Sequence, residues 1–357
     1  MRKVGIYCGR NPLGPWDEGN LKKGIGGSET AAIWLARTLA KRGFQVSVFN
    51  DVPEVRRFGE VKYVPKADAQ GHDMDAWVIW RNPDTVDDLK GKGGKKFLWM
   101  HDLIPEEEVL LAAGAVEQVW VQTRFHRDFY PNLPDAKVRV LPSGVPSEEP
   151  EPSGRKAGRL VYTSDPVRGL ELLLQCWPDY RFAFPEDELV ICGGWATQEA
   201  VAARTVEMMK EAGITDEWKL QEPVNQLEYQ KSQMARLKDQ EGITDLGRLG
   251  KRELAGLYAS ASLLAYPSTF PETQCLTVTE AMSQGCVPVT TQLGALQETN
   301  AAGWLTPLDA PVSKESYLAT LLRARVGTTE GQRLQAKEIA ASYSWDVLVE
   351  GHLACIL

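Results

Sequence analysis

The stretch Thr269-Phe-Pro-Glu272-Thr-Gln-Cys-Leu276-Thr-Val-Thr-Glu280-Ala-Met-Ser-Gln-Gly285-Cys-Val-Pro-Val-Thr290 decides the fold. An apolar run at 263–266 precedes it and another, 287–290, closes it, while Leu276, Val278, Ala281 and Met282 between them recur at helical spacing. Strand, helix, strand in that order is the repeating unit of a parallel sheet. Glu272 and Glu280 are eight positions apart, about two turns at roughly 3.6 residues per turn, so both carboxylates are expected on one side of the loop-to-helix junction. A helix mouth offers unpaired N–H groups and a partial positive charge, which suit a pyrophosphate, and a carboxylate accepts hydrogen bonds from sugar hydroxyls.

The pattern extends outward in both directions. In the first half, apolar runs at 4–8, 45–49, 61–64, 76–80, 96–100, 118–122 and 138–141 alternate with helical segments. The first helix has Ser28 as candidate N-cap and ends at Lys41-Arg-Gly43. Residues 146–158 form the sustained Pro/Gly/Ser/Glu segment of a linker, after which strands are expected at 159–163, 188–192, 244–249, 263–266 and 287–290. Helices are expected near 168–177, 196–212, 224–240, 251–260, 276–284 and 314–325, and residues 332–357 read as helical. The expected organisation is α/β, with a Rossmann-like domain at 1–148, a linker at 149–158 and a second Rossmann-like domain at 159–340. A terminal helix at about 341–357 is expected to pack back on the first domain.

A chain of 357 residues is long for a single core, and 43% apolar with 25% charged residues is ordinary for a soluble globular protein. Residues 1–150 hold 21 Lys/Arg and 21 Asp/Glu, leaving 19 and 27 of the totals 40 and 48, so the net charge of −8 belongs to the second half. No broad basic face for nucleic acid follows from this, and Lys90-Gly-Lys-Gly-Gly-Lys-Lys96 reads as a solvated loop. The start lacks a signal-peptide pattern and no apolar run reaches membrane-spanning length, so a cytoplasmic location is the expectation. The six cysteines lack a C-x-x-C pair and read as free thiols, and the four histidines show no metal-ligand spacing.

Together these segments resemble glycosyltransferase family 4, a retaining family with the GT-B fold of two Rossmann-like parallel-sheet domains facing a central cleft. The resemblance is densest from 157 to 300. It rests on Glu272-x7-Glu280 with the following Ala-Met-Ser-Gln-Gly285, on Gly294-Ala-Leu-Gln-Glu298, and on Ser164-Asp-Pro-Val-Arg168-Gly-Leu. Supporting pieces are Gly24-Ile-Gly-Gly-Ser-Glu29, His101-Asp102, the 137–145 segment and Gly247-Arg-Leu-Gly250. The resemblance implies a donor site of Gly26, Gly27, Ser164, Arg168, Leu249, Gly250, Glu272, Thr273, Gln274, Cys275, Leu276 and Glu280, with His101, Arg168 and Glu272 as the catalytic group. In it Glu272 meets donor-sugar hydroxyls, Glu280 the ribose, and Arg168 the diphosphate, while His101 positions the sugar. The family pattern has a second basic residue several positions before Arg168, and residues 162–165 carry none.

Trp16, in a polar loop, is a candidate platform for stacking on an acceptor, with Glu29 and Asp102 as further acceptor-side candidates; simple loop packing of Trp16 is the alternative. Asp73-Met-Asp75 has the spacing of a divalent-metal pair, but it precedes an apolar run where a metal pair should follow one, so no metal site and no obligatory cofactor are expected. The implied activity is metal-independent, front-face transfer from a nucleotide-sugar co-substrate, UDP-glucose first and GDP-mannose next. The acceptor is a hydroxyl of a saccharide, lipid, protein, metabolite or modified nucleobase. The alternatives are a non-catalytic or regulatory nucleotide-sugar binder and a sugar-nucleotide epimerase on the same fold.

Overall fold

A computed structural model describes residues 1–9, 14–146, 154–307 and 312–357. Among them, β1 (Lys3–Cys8), β2 (Gln45–Asn50), β3 (Arg56–Phe58), β4 (Val61–Pro65), β5 (Ala76–Trp80), β6 (Lys95–Trp99), β7 (Gln118–Val121) and β8 (Val138–Val140) form one sheet in the order β3-β4-β2-β1-β5-β6-β7-β8. All neighbours pair parallel except β3 with β4. Helices cover both faces, so the central strands are apolar throughout rather than alternating, and every residue of β5 is buried. Val4, Ile6, Val46 and Val78 pack on one face with Ile33 and Leu35 of the helix Gly27–Lys41, whereas Tyr7, Phe49, Trp77 and Ile79 fill the other.

The second sheet contains β9 (Arg159–Thr163), β10 (Glu188–Cys192), β11 (Ile243–Asp245), β12 (Leu263–Tyr266), β13 (Val287–Thr291) and β14 (Trp304–Thr306), in the order β11-β10-β9-β12-β13-β14, all parallel. It has its own core, in which Leu160, Tyr162, Leu264 and Val287 meet Leu173, Trp177 and Met282 from the covering helices. The chain thus has two parallel-sheet α/β domains, as the alternating pattern implies.

The differences from the sequence reading have local causes. Strand β3 is a polar three-residue edge whose Arg56 and Arg57 are exposed, so it leaves no apolar run to see. Strand β14 is equally short. The helix expected from 224 starts at Glu217, because Asp216 caps it through Trp218 N–H and Lys219 N–H and the helix passes through Pro223. Ser28 does not cap the first helix: Gly26 holds that position in extended conformation, and Ser28, inside the first turn, donates its hydroxyl to Glu29 at 3.2 Å. Half of the linker expected at 149–158, residues 149–153, lies outside the described residues; in the other half, Arg155 donates to the Gln284 carbonyl at 2.7 Å.

The C-terminal stretch is two helices, Glu330–Ala341 and Trp345–Ile356, divided where Ser344 caps the second. At the break Val145 N–H donates to the Tyr343 carbonyl and Trp345 N–H to the Val145 carbonyl. Trp345, Val349, Leu353 and Ile356 thereby join the core of the first sheet. The Trp345 ring lies so close that a Cβ at Gly144 would sit 2.9 Å from it, so that position requires glycine.

His352 is fully buried on this last helix, edge-on to Trp120 at 5.1 Å and to Trp99 at 5.8 Å. Burial holds it and His126 near a pKa of about 4 and His101 near about 3, against an ordinary 6.5. The unfolded chain therefore binds more protons than the folded one between those limits. Stability is intact above about 6.5 and is lost as pH falls toward about 4, at about 1.4 kcal/mol per pH unit for each such histidine. In urea titrations between about pH 6 and about pH 5, His352→Leu should remove about one such increment from the slope of stability against pH. An unchanged slope would show that His352 is not linked to acid unfolding.

Candidate active site

Parallel strands deliver their carboxyl ends to one edge, where open α/β sheets bind ligands. Here the two edges face each other across a cleft of about 370 Å³, within the roughly 300–1,000 Å³ usual for ligand sites. The first-domain wall includes residues 25–29 at the mouth of the helix Gly27–Lys41, Arg81 after β5, His101 and Asp102 after β6, and Gln122 and Ser143. The opposite wall holds Ser164 and Arg168 after β9, Arg248, Leu249 and Lys251 after β11, and the segment from Glu272 into the helix Leu276–Ser283 after β12.

Arg168 and Glu272 form the centre. Arg168 Nη1 donates to Glu272 Oε1 at 2.6 Å, and Tyr266 Oη donates to the same oxygen at 2.6 Å. The guanidinium carbon stands 4.2 Å from the centre of the Phe270 ring. Burial opposes the charge of Arg168, but Glu272 and Tyr266 outweigh it and hold the side chain cationic. Gly169 makes this placement possible: its φ of 95° is open to glycine, and a Cβ there would lie 1.9 Å from the Pro267 carbonyl oxygen. Glu272 belongs to the loop before the helix, bridged to Gly294, while Glu280 lies within the helix and accepts from Lys251 Nζ at 2.6 Å. Each carboxylate thus has a cation partner.

The same segment joins the domains. Thr273 Oγ1 donates to the His101 carbonyl at 2.8 Å, and Thr123 Oγ1 donates to the Thr273 carbonyl at 2.7 Å. Gln274 is buried and exchanges two bonds of 2.7 Å with the Ser143 backbone, so its side chain is committed to the seam rather than to a ligand. Glu298 accepts from Arg124 N–H at 3.0 Å and Phe125 N–H at 2.7 Å across the same seam. Cys275 is buried with φ 79°, and burial raises its thiol well above the ordinary range, which keeps it protonated.

On the first wall, a Cβ at Gly26 would sit 2.3 Å from Glu29 Oε2, so glycine there is what admits the buried Glu29. The His101 ring lies 4.5 Å from that of Trp99, and its buried Nε2 has no hydrogen-bond partner among the described residues. Held near about 3, principally by burial, His101 is neutral at ordinary pH. Asp102 receives a forked pair of bonds from Arg81, at 2.6 Å from Nε and 3.1 Å from Nη2.

Gly26, Gly27, Ser164, Arg168, Leu249, Glu272, Thr273, Gln274, Cys275, Leu276, Glu280, His101, Glu29 and Asp102 all line this cleft. Two candidates do not. Trp16 is 3% exposed and packs edge-on to Tyr63 and Trp80 in the first core, so it offers no stacking face to an acceptor. Gly250 is buried behind the wall, where a Cβ would lie 2.4 Å from the Lys22 carbonyl oxygen; its role is close backbone approach and capping of the helix Lys251–Ser260. The sequence reading missed Arg81, Arg248 and Lys251, three further cations on the cleft. Arg81 was accessible to the logic that found His101, since it too follows the carboxyl end of a strand.

The Asp73 and Asp75 pair stands at the amino end of β5, where Asp75 accepts from Lys3 N–H at 2.7 Å, and the cleft lies beyond the other end of that strand. Among the described residues no group of three His, Cys, Asp or Glu is placed to hold a metal ion, and no helix is long and apolar enough to cross a membrane. All six cysteines are free thiols.

Residues 156–323 match the model of a family described as glycosyl transferases group 1. No curated protein matches the chain significantly by sequence. Sucrose-phosphate synthase from Thermosynechococcus elongatus superposes with a TM-score of 0.71 at 15% identity, covering 99% of this chain and 98% of that one. HepE from Anabaena, in complex with UDP and glucose, gives 0.68 at 15% identity with 99% and 98% covered. WaaG, a glycosyltransferase involved in lipopolysaccharide biosynthesis, gives 0.61 at 14% identity with the same coverage. The likeness over the whole chain establishes the GT-B fold, and with the group 1 match over the second domain it indicates that the protein is a glycosyltransferase.

Proposed function

We propose that this chain transfers a sugar, with retention of anomeric configuration, from a nucleoside diphosphate sugar to a hydroxyl acceptor. The observation that carries the proposal is the convergence of Arg168, Glu272 and His101 from two domains on one cleft, with Glu280 in the same wall. Arg168 stabilises charge on the departing diphosphate as the bond from the anomeric carbon to the phosphate oxygen breaks. Glu272 receives donor-sugar hydroxyls, Glu280 receives those of the ribose, and the backbone at 273–276 faces the sugar and diphosphate. The acceptor oxygen forms its bond on the face the phosphate leaves, and its proton passes to the leaving phosphate oxygen. A histidine near a pKa of about 3 is a weak base, which favours sugar positioning for His101 over proton abstraction.

Arg81, Arg248 and Lys251 supply the basic groups that residues 162–165 lack, and Arg248 has no ion pair among the described residues. These cations, and the Asp73/Asp75 pair at the far edge of its sheet, favour a metal-independent reaction. UDP-glucose is the first donor to test, supported by the complexes of HepE with UDP-glucose, and GDP-mannose is the second. The free thiols fit a reducing compartment, and we place the enzyme in the cytoplasm.

Incubation with UDP-, GDP- and ADP-sugars should release nucleoside diphosphate from one of them, slowly without acceptor and faster with it. A thermal shift without release from any donor would favour the non-catalytic binder, and conversion to an isomeric sugar nucleotide the epimerase. Arg168→Ala and Glu272→Ala should each lower kcat by about 10²–10³-fold with the folded structure retained by circular dichroism. Near-normal turnover in both would sink the assignment. EDTA should leave the rate unchanged; complete loss restored by manganese would overturn metal independence.

A further inference from the structure

We propose that Tyr266 is a positioning residue for sugar transfer: its hydroxyl fixes one oxygen of Glu272 so that the other oxygen is presented to the donor sugar. This rests on the glycosyltransferase reading and adds to it a residue that acts through Glu272 rather than on a substrate.

Tyr266 closes the apolar run of β12, and its ring packs in the core of the second domain with the Tyr162 ring 5.8 Å away between centres. The strand ends there, so the phenol oxygen is delivered to the same sheet edge as the cleft. A buried phenol hydroxyl needs a partner. This one donates to Glu272 Oε1 at 2.6 Å, a length typical of a bond to an ionised oxygen. Ser164 Oγ stands 3.4 Å from the same phenol oxygen and can donate to it, which extends the chain from Ser164 through Tyr266 to the carboxylate.

The two oxygens of Glu272 are used unequally. Oε1 accepts from Tyr266 and from Arg168 Nη1, each at 2.6 Å, whereas Oε2 has no hydrogen-bond partner among the described residues. The last torsion of a glutamate is broad and gives the carboxylate no preferred plane by itself. Two donors on one oxygen remove that freedom, because the group cannot turn without breaking both bonds. The donors also differ in kind. Arg168 is the cation assigned to the departing diphosphate, so its hold on Glu272 is shared with the leaving group. Tyr266 is neutral, and at 1% exposure it has almost no surface for a ligand to touch. Its bond to Oε1 therefore keeps the carboxylate in place while Arg168 is engaged with phosphate.

Tyr266→Phe removes the oxygen and keeps the ring. With the sugar nucleotide that the protein turns over, kcat should fall about tenfold or more, the loss expected for one hydrogen bond to a charged group. Calorimetric affinity for the free nucleoside diphosphate should stay within about twofold, since Glu272 meets the sugar and not the nucleotide. In a Glu272→Ala background the same substitution should cost less than about twofold, because the group it positions is gone. A merely structural role would give equal losses in both backgrounds. If no donor releases nucleoside diphosphate, the enzyme reading falls, and binding of UDP-glucose, GDP-mannose and ADP-glucose beside UDP, GDP and ADP still decides the role of Tyr266. Tyr266→Phe should then weaken the best-bound sugar nucleotide at least about threefold and leave its nucleoside diphosphate unchanged. In a protein that turns over, kcat within about twofold of the unsubstituted protein or an equal loss in the Glu272→Ala background would overturn the proposal. In one that does not, it is overturned by sugar-nucleotide and nucleoside diphosphate affinities that move together or not at all, or by no binding of any of the six compounds.

Discussion

Parallel pairing is the constraint on which the rest of this molecule depends. Because β1, β2, β4 and β5 to β8 all run one way, and β9 to β14 likewise, every crossover helix must return the chain to the same edge. The chemistry-bearing residues accordingly follow strand ends: Arg81 after β5, His101 after β6, Arg168 after β9 and Glu272 after β12. The cleft is the place where these two edges meet. Residues at the amino ends of the same strands, Asp73 and Asp75 among them, are excluded from it by the same geometry.

A cleft between two domains must be held at a fixed width without being filled. Here the holding is polar and uses backbone groups, with Gln274 on Ser143, Thr273 on the His101 carbonyl, and Glu298 on the unpaired N–H groups of residues 124 and 125. The contacts of Thr273 and Gln274 come from the segment that also carries Glu272, so the position of the carboxylate and part of the domain seam are set by one stretch of chain, while Glu298 joins from the helix Leu296–Thr299. Charges inside the cleft are paired in turn, Arg168 with Glu272, Lys251 with Glu280 and Arg81 with Asp102. Half-buried charges left unpaired would be costly, and an anionic ligand can take over part of this pairing at little reorganisation cost.

Much of this was legible beforehand because both sheets are buried on two faces, which produces continuous apolar runs that announce strands directly. Signals failed where the physical cue was weak or non-local. The edge strand β3 is polar, and Trp16 sits in a polar loop yet turns inward, since its burial depends on Tyr63 and Trp80, which arrive from other parts of the chain. Gly250 stands in a motif-like segment, but the Lys22 carbonyl that demands its small size is more than two hundred positions away. Ser28 does not cap the first helix because it has the right chemistry two positions too late, and Gly26 is required by the buried Glu29.

The amino-acid order by itself determined the alternation of strands and helices, the division into two sheets, and the candidate pair Glu272 and Glu280, because periodicity and local spacing act within one element. Tertiary structure alone decided which charges face one another. Arg81 is an unremarkable strand-end arginine in the chain, and only the approach of Asp102 and Glu29 gives its charge a direction. The same holds for Gln274, whose side chain becomes part of the domain seam because Ser143 is brought beside it by a different sheet. Long-range pairing of this kind depends on how two separately wound sheets dock, and no local pattern of residue types encodes that contact.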